Sequence, residues 1–127
     1  MPQDKTHSGD SCARSRCPVA CVLDIVGDKW TLLVVRDIFF GKHTFKELQN
    51  SMEQIPTNIL ADRLKRLEQA NIIQRELYQE RPKRYRYHLT EKGMDLKPVM
   101  LALVEWSNKY IPGTYQVSAE TEPASGK

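Results

Sequence analysis

Three groups of side chains have the type and spacing to do chemistry. In the stretch 57–69, Asn58, Asp62, Lys65 and Gln69 fall on one side of a helix at about 100° per residue, while Leu60, Leu64 and Leu67 fall on the other. Thr57 and Asn58 lie in its first turn, where the side chains of a DNA-recognition helix reach base edges in the major groove. The second group is the run RPKRYR, in which Arg81, Lys83, Arg84 and Arg86 follow Glu80 with no anion among them. Such a run can neutralise phosphates and release their counterions, although a charge run is more often a solvated loop. Lys42 and Lys46 could add phosphate contacts upstream, or equally form a solvated face. The third group is the thiols. Cys17 precedes Pro18 at a helix start, where the dipole favours a thiolate, although a lone cysteine more often serves as a small apolar residue. Cys21 follows one turn on, and Cys12 precedes it. With His7 these three could supply four metal ligands, but their spacing fits no common zinc pattern, so no metal is expected. His43 and His88 read as isolated surface residues.

These groups need a scaffold. Thr44 and Glu47 fit a capping box that starts a short helix, with Phe45, Leu48 and Met52 on one face. Three residues then lead to Pro56, a residue suited to a helix start. Two amphipathic helices joined by a tight corner predict a helix-turn-helix, a packing motif also found in proteins that never touch DNA. Arg63 borders the leucine stripe, and its stem could pack structurally or its head could reach the DNA backbone.

Upstream, Pro18 opens a helix with Val19, Val22, Leu23 and Val26 on one side, closed by Gly27 in a left-handed conformation. Asp28 reads as the cap of a largely buried second helix containing Trp30, Leu33, Val34, Ile38 and Phe40, ended by Gly41. Downstream, alternation through Ile73 and Leu77, then Tyr85, Tyr87 and Leu89, predicts two strands joined by the cationic loop, which makes that loop a wing. Thr90 caps a last helix over about 91–111, kinked by Pro98 and apolar on several sides, so that a second copy of the chain should cover one of them. The expected class is mainly α (α+β): a winged helix-turn-helix with a two-stranded wing and N- and C-terminal dimerisation helices. The expected division is a flexible arm at 1–16, the domain at 17–112 and a flexible tail at 113–127.

Composition narrows the classes. The chain has 127 residues, 40% hydrophobic and 28% charged, and suits one soluble domain with little core to spare. Its net charge of +3 does not by itself prove a nucleic-acid partner. No apolar stretch approaches the roughly 18 residues a membrane span requires. Residues 1–16 are polar where a signal peptide needs an apolar core, so a cytoplasmic location and three free thiols are expected. An enzyme is not expected, because there is no Gly-rich phosphate loop, nucleophile elbow or catalytic carboxylate–histidine cluster. A winged helix used for protein contact alone is the competing class, against which the cationic wing argues.

The order of elements resembles the HxlR-type family of bacterial transcription regulators, relatives of the MarR group. The residues that carry the resemblance are Cys17-Pro18, Gly27 through Leu33, Phe45-Lys46-Glu47-Leu48, Ile55 through Leu60, Arg63-Leu64 with Leu67-Glu68, and Leu89-Thr90 with Gly93. The match covers about residues 17–110. It implies sequence-specific binding of double-stranded DNA by a homodimer, hence a palindromic operator with half-sites roughly 34–36 Å apart. In some members the N-terminal cysteine senses oxidants or electrophiles, and Cys17 occupies that position. Many members have a serine before the proline at the recognition-helix start; here Pro56-Thr57 makes Thr57 the expected cap and shifts base reading to Asn58, Asp62 and Lys65. Apolar space between the dimer's helices could hold a small-molecule effector, and no cofactor is implied.

Overall fold

The computed structural model describes residues 14–115, so the expected arm and tail lie almost wholly outside the described residues. Among the described residues six helices and one hairpin follow in chain order: α1 (Pro18–Val26), α2 (Thr31–Phe39), α3 (Phe45–Gln49), α4 (Thr57–Gln69), β1 (Ile73–Glu80), β2 (Lys83–Leu89), α5 (Glu91–Met94) and α6 (Lys97–Tyr110). The strands are antiparallel, pairing Ile73 with Leu89 and Leu77 with Tyr85, with a bulge between Leu77 and Gln79. This is the expected winged helix-turn-helix.

Its core is the seam where α2, α3, α4 and the sheet meet. Val34, Val35 and Ile38 from α2, Leu48 from α3, and Leu60, Leu64 and Leu67 from α4 are buried together with Ile55, Ala70, Ile72 and Ile73. The leucine stripe of α4 therefore lies inward and its polar face outward, as the periodicity requires. At these positions burial contributes about 1.5–3 kcal/mol for each large apolar side chain. The capping box of α3 also forms: the Glu47 amide donates to the Thr44 hydroxyl, and the Glu47 carboxylate accepts from the Thr44 and His43 amides.

Several local expectations are corrected. α3 ends at Gln49, not Met52, so Met52 is exposed and the corner is longer than three residues. The cause is Ser51, whose buried hydroxyl accepts from the Ile55 amide and offers the backbone an alternative to helix. The single kinked C-terminal helix is instead two helices. The Leu96 amide donates to the Gly93 carbonyl, turning the chain, and Pro98 then sits in the first turn of α6, where it costs no hydrogen bond. Gly93 permits this corner because a Cβ there would lie 2.2 Å from the Ile72 carbonyl oxygen. Gly27 is right-handed (φ −80°), and its lack of a side chain serves close approach, since a Cβ would lie 2.3 Å from the Leu23 carbonyl oxygen. Among the described residues no helix is long and apolar enough to cross a membrane.

Candidate nucleic-acid interface

α4 is positioned at its start and at its middle. At its start Pro56 is the N-cap in extended conformation with no side-chain cap, and Thr57 is already helical, which corrects its expected capping role. The Thr57 hydroxyl instead accepts from the Gln49 side-chain amide at 2.9 Å, tying the first turn of α4 to the last residue of α3. Asn58, the other first-turn candidate, is exposed.

Mid-helix, Arg63 reaches back 35 residues in sequence. Its Nε donates to Asp28 Oδ1 at 3.1 Å, and its Nη1 donates to Asp62. Asp28 also accepts from the amides of Trp30 and Thr31 and from the Thr31 hydroxyl, so one carboxylate, though Trp30 and not Asp28 is the N-cap residue, fastens the turn that enters α2 and holds α4 to it. Burial pushes the Asp28 carboxyl up. The bonds from Thr31, Trp30 and Arg63 outweigh it and hold the group well below the usual carboxylate range. Asp62 is held by both Arg63 and Arg66. The side chain of Arg63 is only 16% exposed. Its charge is matched within the fold.

The wing differs in detail from a cationic loop. Only Arg81 and Pro82, joined by a cis peptide bond, lie outside the strands, while Lys83, Arg84 and Arg86 belong to β2. Gln79 closes the turn by donating to the carbonyls of Arg81 and Pro82. The guanidinium of Arg86 lies 4.3 Å from the centre of the Tyr78 ring. Arg75, which was not singled out from sequence, lies 4.4 Å from the centre of the Tyr85 ring and pairs with Glu68 of α4 at 3.2 Å. Lys65, Glu68, Gln69, Arg75 and Tyr87 consequently line one cleft of about 650 Å³ between helix and sheet.

His43 and His88 are not isolated. Their rings stack at 4.9 Å; His43 Nδ1 meets the Tyr87 carbonyl oxygen at 2.8 Å, and His88 Nε2 meets Glu76 at 3.0 Å. A bridge between Thr44 and Arg86 extends this joint, so the segment before α3 acts as a short third strand beside β2. Sequence spacing of 45 residues gives no sign of it.

The cations therefore sort into two sets. Arg63, Arg66 and Arg75 are paired with carboxylates, and Lys42 donates to the Asn50 carbonyl. Among the described residues Lys46 on α3, Lys65 on α4, and Arg81, Lys83 and Arg84 on the wing are exposed and form no ion pair. This second set is the surface that an anionic polymer would meet.

At the other side of the molecule Cys17 is the N-cap of α1, exposed and free. The amides of Ala20 and Val19 hold its thiol below its ordinary value. Cys21 is disulfide-bonded, which corrects the expectation of three free thiols. Compartment sets a redox poise, whereas the fold decides which sulfurs meet. His7 and Cys12 of the four considered metal ligands also lie outside the described residues, and among those described no group of three could hold a metal ion.

A recognition-type helix packed on a second helix, followed by a hairpin with unpaired cations, defines a winged helix-turn-helix protein. Residues 25–115 match the family described as HxlR-like helix-turn-helix, and the chain belongs to this family of transcriptional regulators. It is 37% identical over 94 residues to the uncharacterized HTH-type transcriptional regulator YdeP of Bacillus subtilis, a match spanning 74% of this chain and 73% of YdeP. Mycobacterial relatives at the same identity are longer, the matched stretch spanning 59% of their length. Among solved structures, the reduced form of the transcriptional regulator YodB from B. subtilis has a TM-score of 0.65 at 30% identity, covering 80% of this chain and all of YodB. The redox regulator HypR in its reduced form has a TM-score of 0.67 at 33% identity, covering 73% of this chain and 92% of HypR.

Proposed function

We propose that the chain is a homodimeric, sequence-specific regulator of double-stranded DNA that lays α4 in the major groove and its wing along the adjacent phosphates. The observation that carries this reading is the sorting of cations: Arg66 and Arg75 are exposed but paired with carboxylates, whereas Lys46 on α3, Lys65 on α4 and Arg81, Lys83 and Arg84 on the wing are exposed without carboxylate partners among the described residues, so their charge is available to phosphate. Asn58 and Lys65 read bases, with Asp62 beside them. Lys46, Arg81, Lys83, Arg84 and Arg86 hold the backbone. Arg63, matched by Asp28, holds α4 in place.

Dimerisation is supported by α6, which has no buried residue in the single chain and exposes Val99, Leu103, Trp106 and Tyr110. An isolated 14-residue helix is marginal in water, so this stripe requires a cover. α1 exposes Val19, Val22 and Leu23 in the same way, and the two surfaces together suit a second copy. Two-fold symmetry then requires a palindromic operator. Cys17 is the candidate sensor of oxidants or electrophiles, a reading supported by its exposure, its lowered thiol and the redox role named for HypR.

Selection of bound fragments from genomic DNA by the purified protein, followed by anisotropy titrations, tests this. Arg84→Ala should weaken binding to all sequences alike and flatten the salt slope, whereas Asn58→Ala should cost about 1–3 kcal/mol mainly on the selected site. Equal losses on selected and random DNA for both variants would overturn this division of labour, and absence of any enriched sequence would leave a protein-contact module.

A further inference from the structure

Lys65 and Glu68 stand three residues apart on α4, so they share a face and are natural ion-pair partners. The structure pairs them otherwise. The Glu68 carboxylate meets Nε of Arg75 on β1 at 3.2 Å, while Lys65 forms no ion pair among the described residues. Glu68–Arg75 is also the one ion pair among the described residues that joins α4 to the hairpin. Lys65, Glu68 and Arg75 line the same cleft between helix and sheet, so Arg75 stands beside a cation already assigned to DNA.

Three effects withhold Arg75 from an anion entering that cleft. Its charge is matched by Glu68, its guanidinium lies 4.4 Å from the centre of the Tyr85 ring, and the Glu68 carboxylate itself repels a phosphate. The pair is nonetheless open to solvent. The side chains of Arg75 and Glu68 are 47% and 38% exposed, against 16% for Arg63, whose partners hold it inside the fold. An exposed pair adds little to stability, and removing one member leaves no buried charge behind. Glu68 is therefore dispensable to the fold and consequential for charge.

We propose that Glu68 limits the affinity for DNA by holding Arg75 off the backbone, and that Arg75 released from it takes a phosphate beside Lys65. This rests on the DNA reading above and adds to it a residue that sets affinity by subtraction. A planar guanidinium already stacked on Tyr85 loses little freedom in making a charge-assisted contact to phosphate.

Anisotropy titrations of the full chain with the selected duplex and a random one, over a salt series, test the proposal. Glu68→Gln should bind both duplexes about threefold or more tightly and steepen the salt slope by about one. Glu68→Gln/Arg75→Gln, which removes the pair whole, should return the slope to that of the native chain. Glu80→Gln makes the same change of charge at an exposed wing carboxylate with no ion pair among the described residues, and should shift the slope by less than half as much. A native slope in Glu68→Gln, a gain that survives in the double variant, or an equal gain in Glu80→Gln would overturn the proposal. Urea melts of each variant separate these outcomes from unfolding, and a purely structural Glu68 would lower the midpoint without steepening the slope. Failure here leaves native binding and its dependence on Arg84 intact, whereas a native chain that binds neither duplex overturns the DNA reading and this proposal together.

Discussion

Replacing Asp28 by Ala removes more than a surface charge. Its carboxylate takes the amides of Trp30 and Thr31 at 2.8 and 3.0 Å and the Nε of Arg63 at 3.1 Å, so the loss falls on the turn that enters α2 and on an interhelical tie together. Loss of capping bonds of this kind costs about 1 kcal/mol. A lost charge-assisted bond that leaves Arg63, only 16% exposed, with Asp62 alone costs about a further 1–2 kcal/mol. Asp28→Ala should therefore destabilise by about 2–3 kcal/mol. Asp28→Asn, which keeps an acceptor for the amides, should lose about half of that. Urea melts at one protein concentration measure it, since association would otherwise shift the midpoint. In the double-mutant cycle with Arg63→Ala the coupling should reach about 1 kcal/mol. Arg63→Ala should also leave the salt slope of DNA affinity unchanged, because a matched guanidinium displaces no counterion from DNA. A loss under about 1 kcal/mol for Asp28→Ala with near-zero coupling would refute the tie. A salt slope reduced by about one on Arg63→Ala would make that residue a phosphate contact.

Acid should find the same weak point. The carboxyls of Asp28, Glu47 and Glu53 are held below their ordinary values of 3.8, 4.5 and 4.5, respectively, so near pH 4 the folded chain binds fewer protons than the unfolded one. Their contribution is complete above about pH 5 and is lost as pH falls through 4.5 and below, and urea midpoints measured from pH 7 to 3 should drop most steeply in that window. Trp106→Glu, at a residue 61% exposed in the single chain, should turn the dimer into monomer by sedimentation without unfolding it; a retained dimer would move the interface elsewhere. Cys17→Ser should make operator affinity indifferent to diamide. If the variant still lost DNA on oxidation, closure of the Cys21 disulfide from its reduced thiol, with diamide taking the two electrons, would become the step to test.

What could be read from the chain alone was whatever neighbouring residues enforce. The leucine stripe of α4 and the Thr44–Glu47 box each act within a few residues and formed, and the alternation of Ile73, Leu77, Tyr85 and Tyr87 gave the two strands, although Leu77 is exposed and the covered face ends near Ile73. The break before α6 is also local in cause, but Gly93 looks like any helical glycine until the Ile72 carbonyl is seen to occupy the place of its missing side chain. The candidate interface was legible in position and illegible in state. On a helical wheel Arg63 borders the leucine stripe while Lys65 and Arg66 lie further out, which leaves the partner of each undetermined, and Arg84 and Arg86 alternate along a strand as though equal. Only packing reveals that Asp28 lies against Arg63 and that Glu68 takes Arg75, whereas the Asp62–Arg66 pair is local at i,i+4; Lys65, Arg84 and Arg86 are left without counter-charges among the described residues. Since counterion release depends on charge the fold has not already neutralised, the number of phosphates the protein can engage is set by these long-range pairings and not by the count of basic residues.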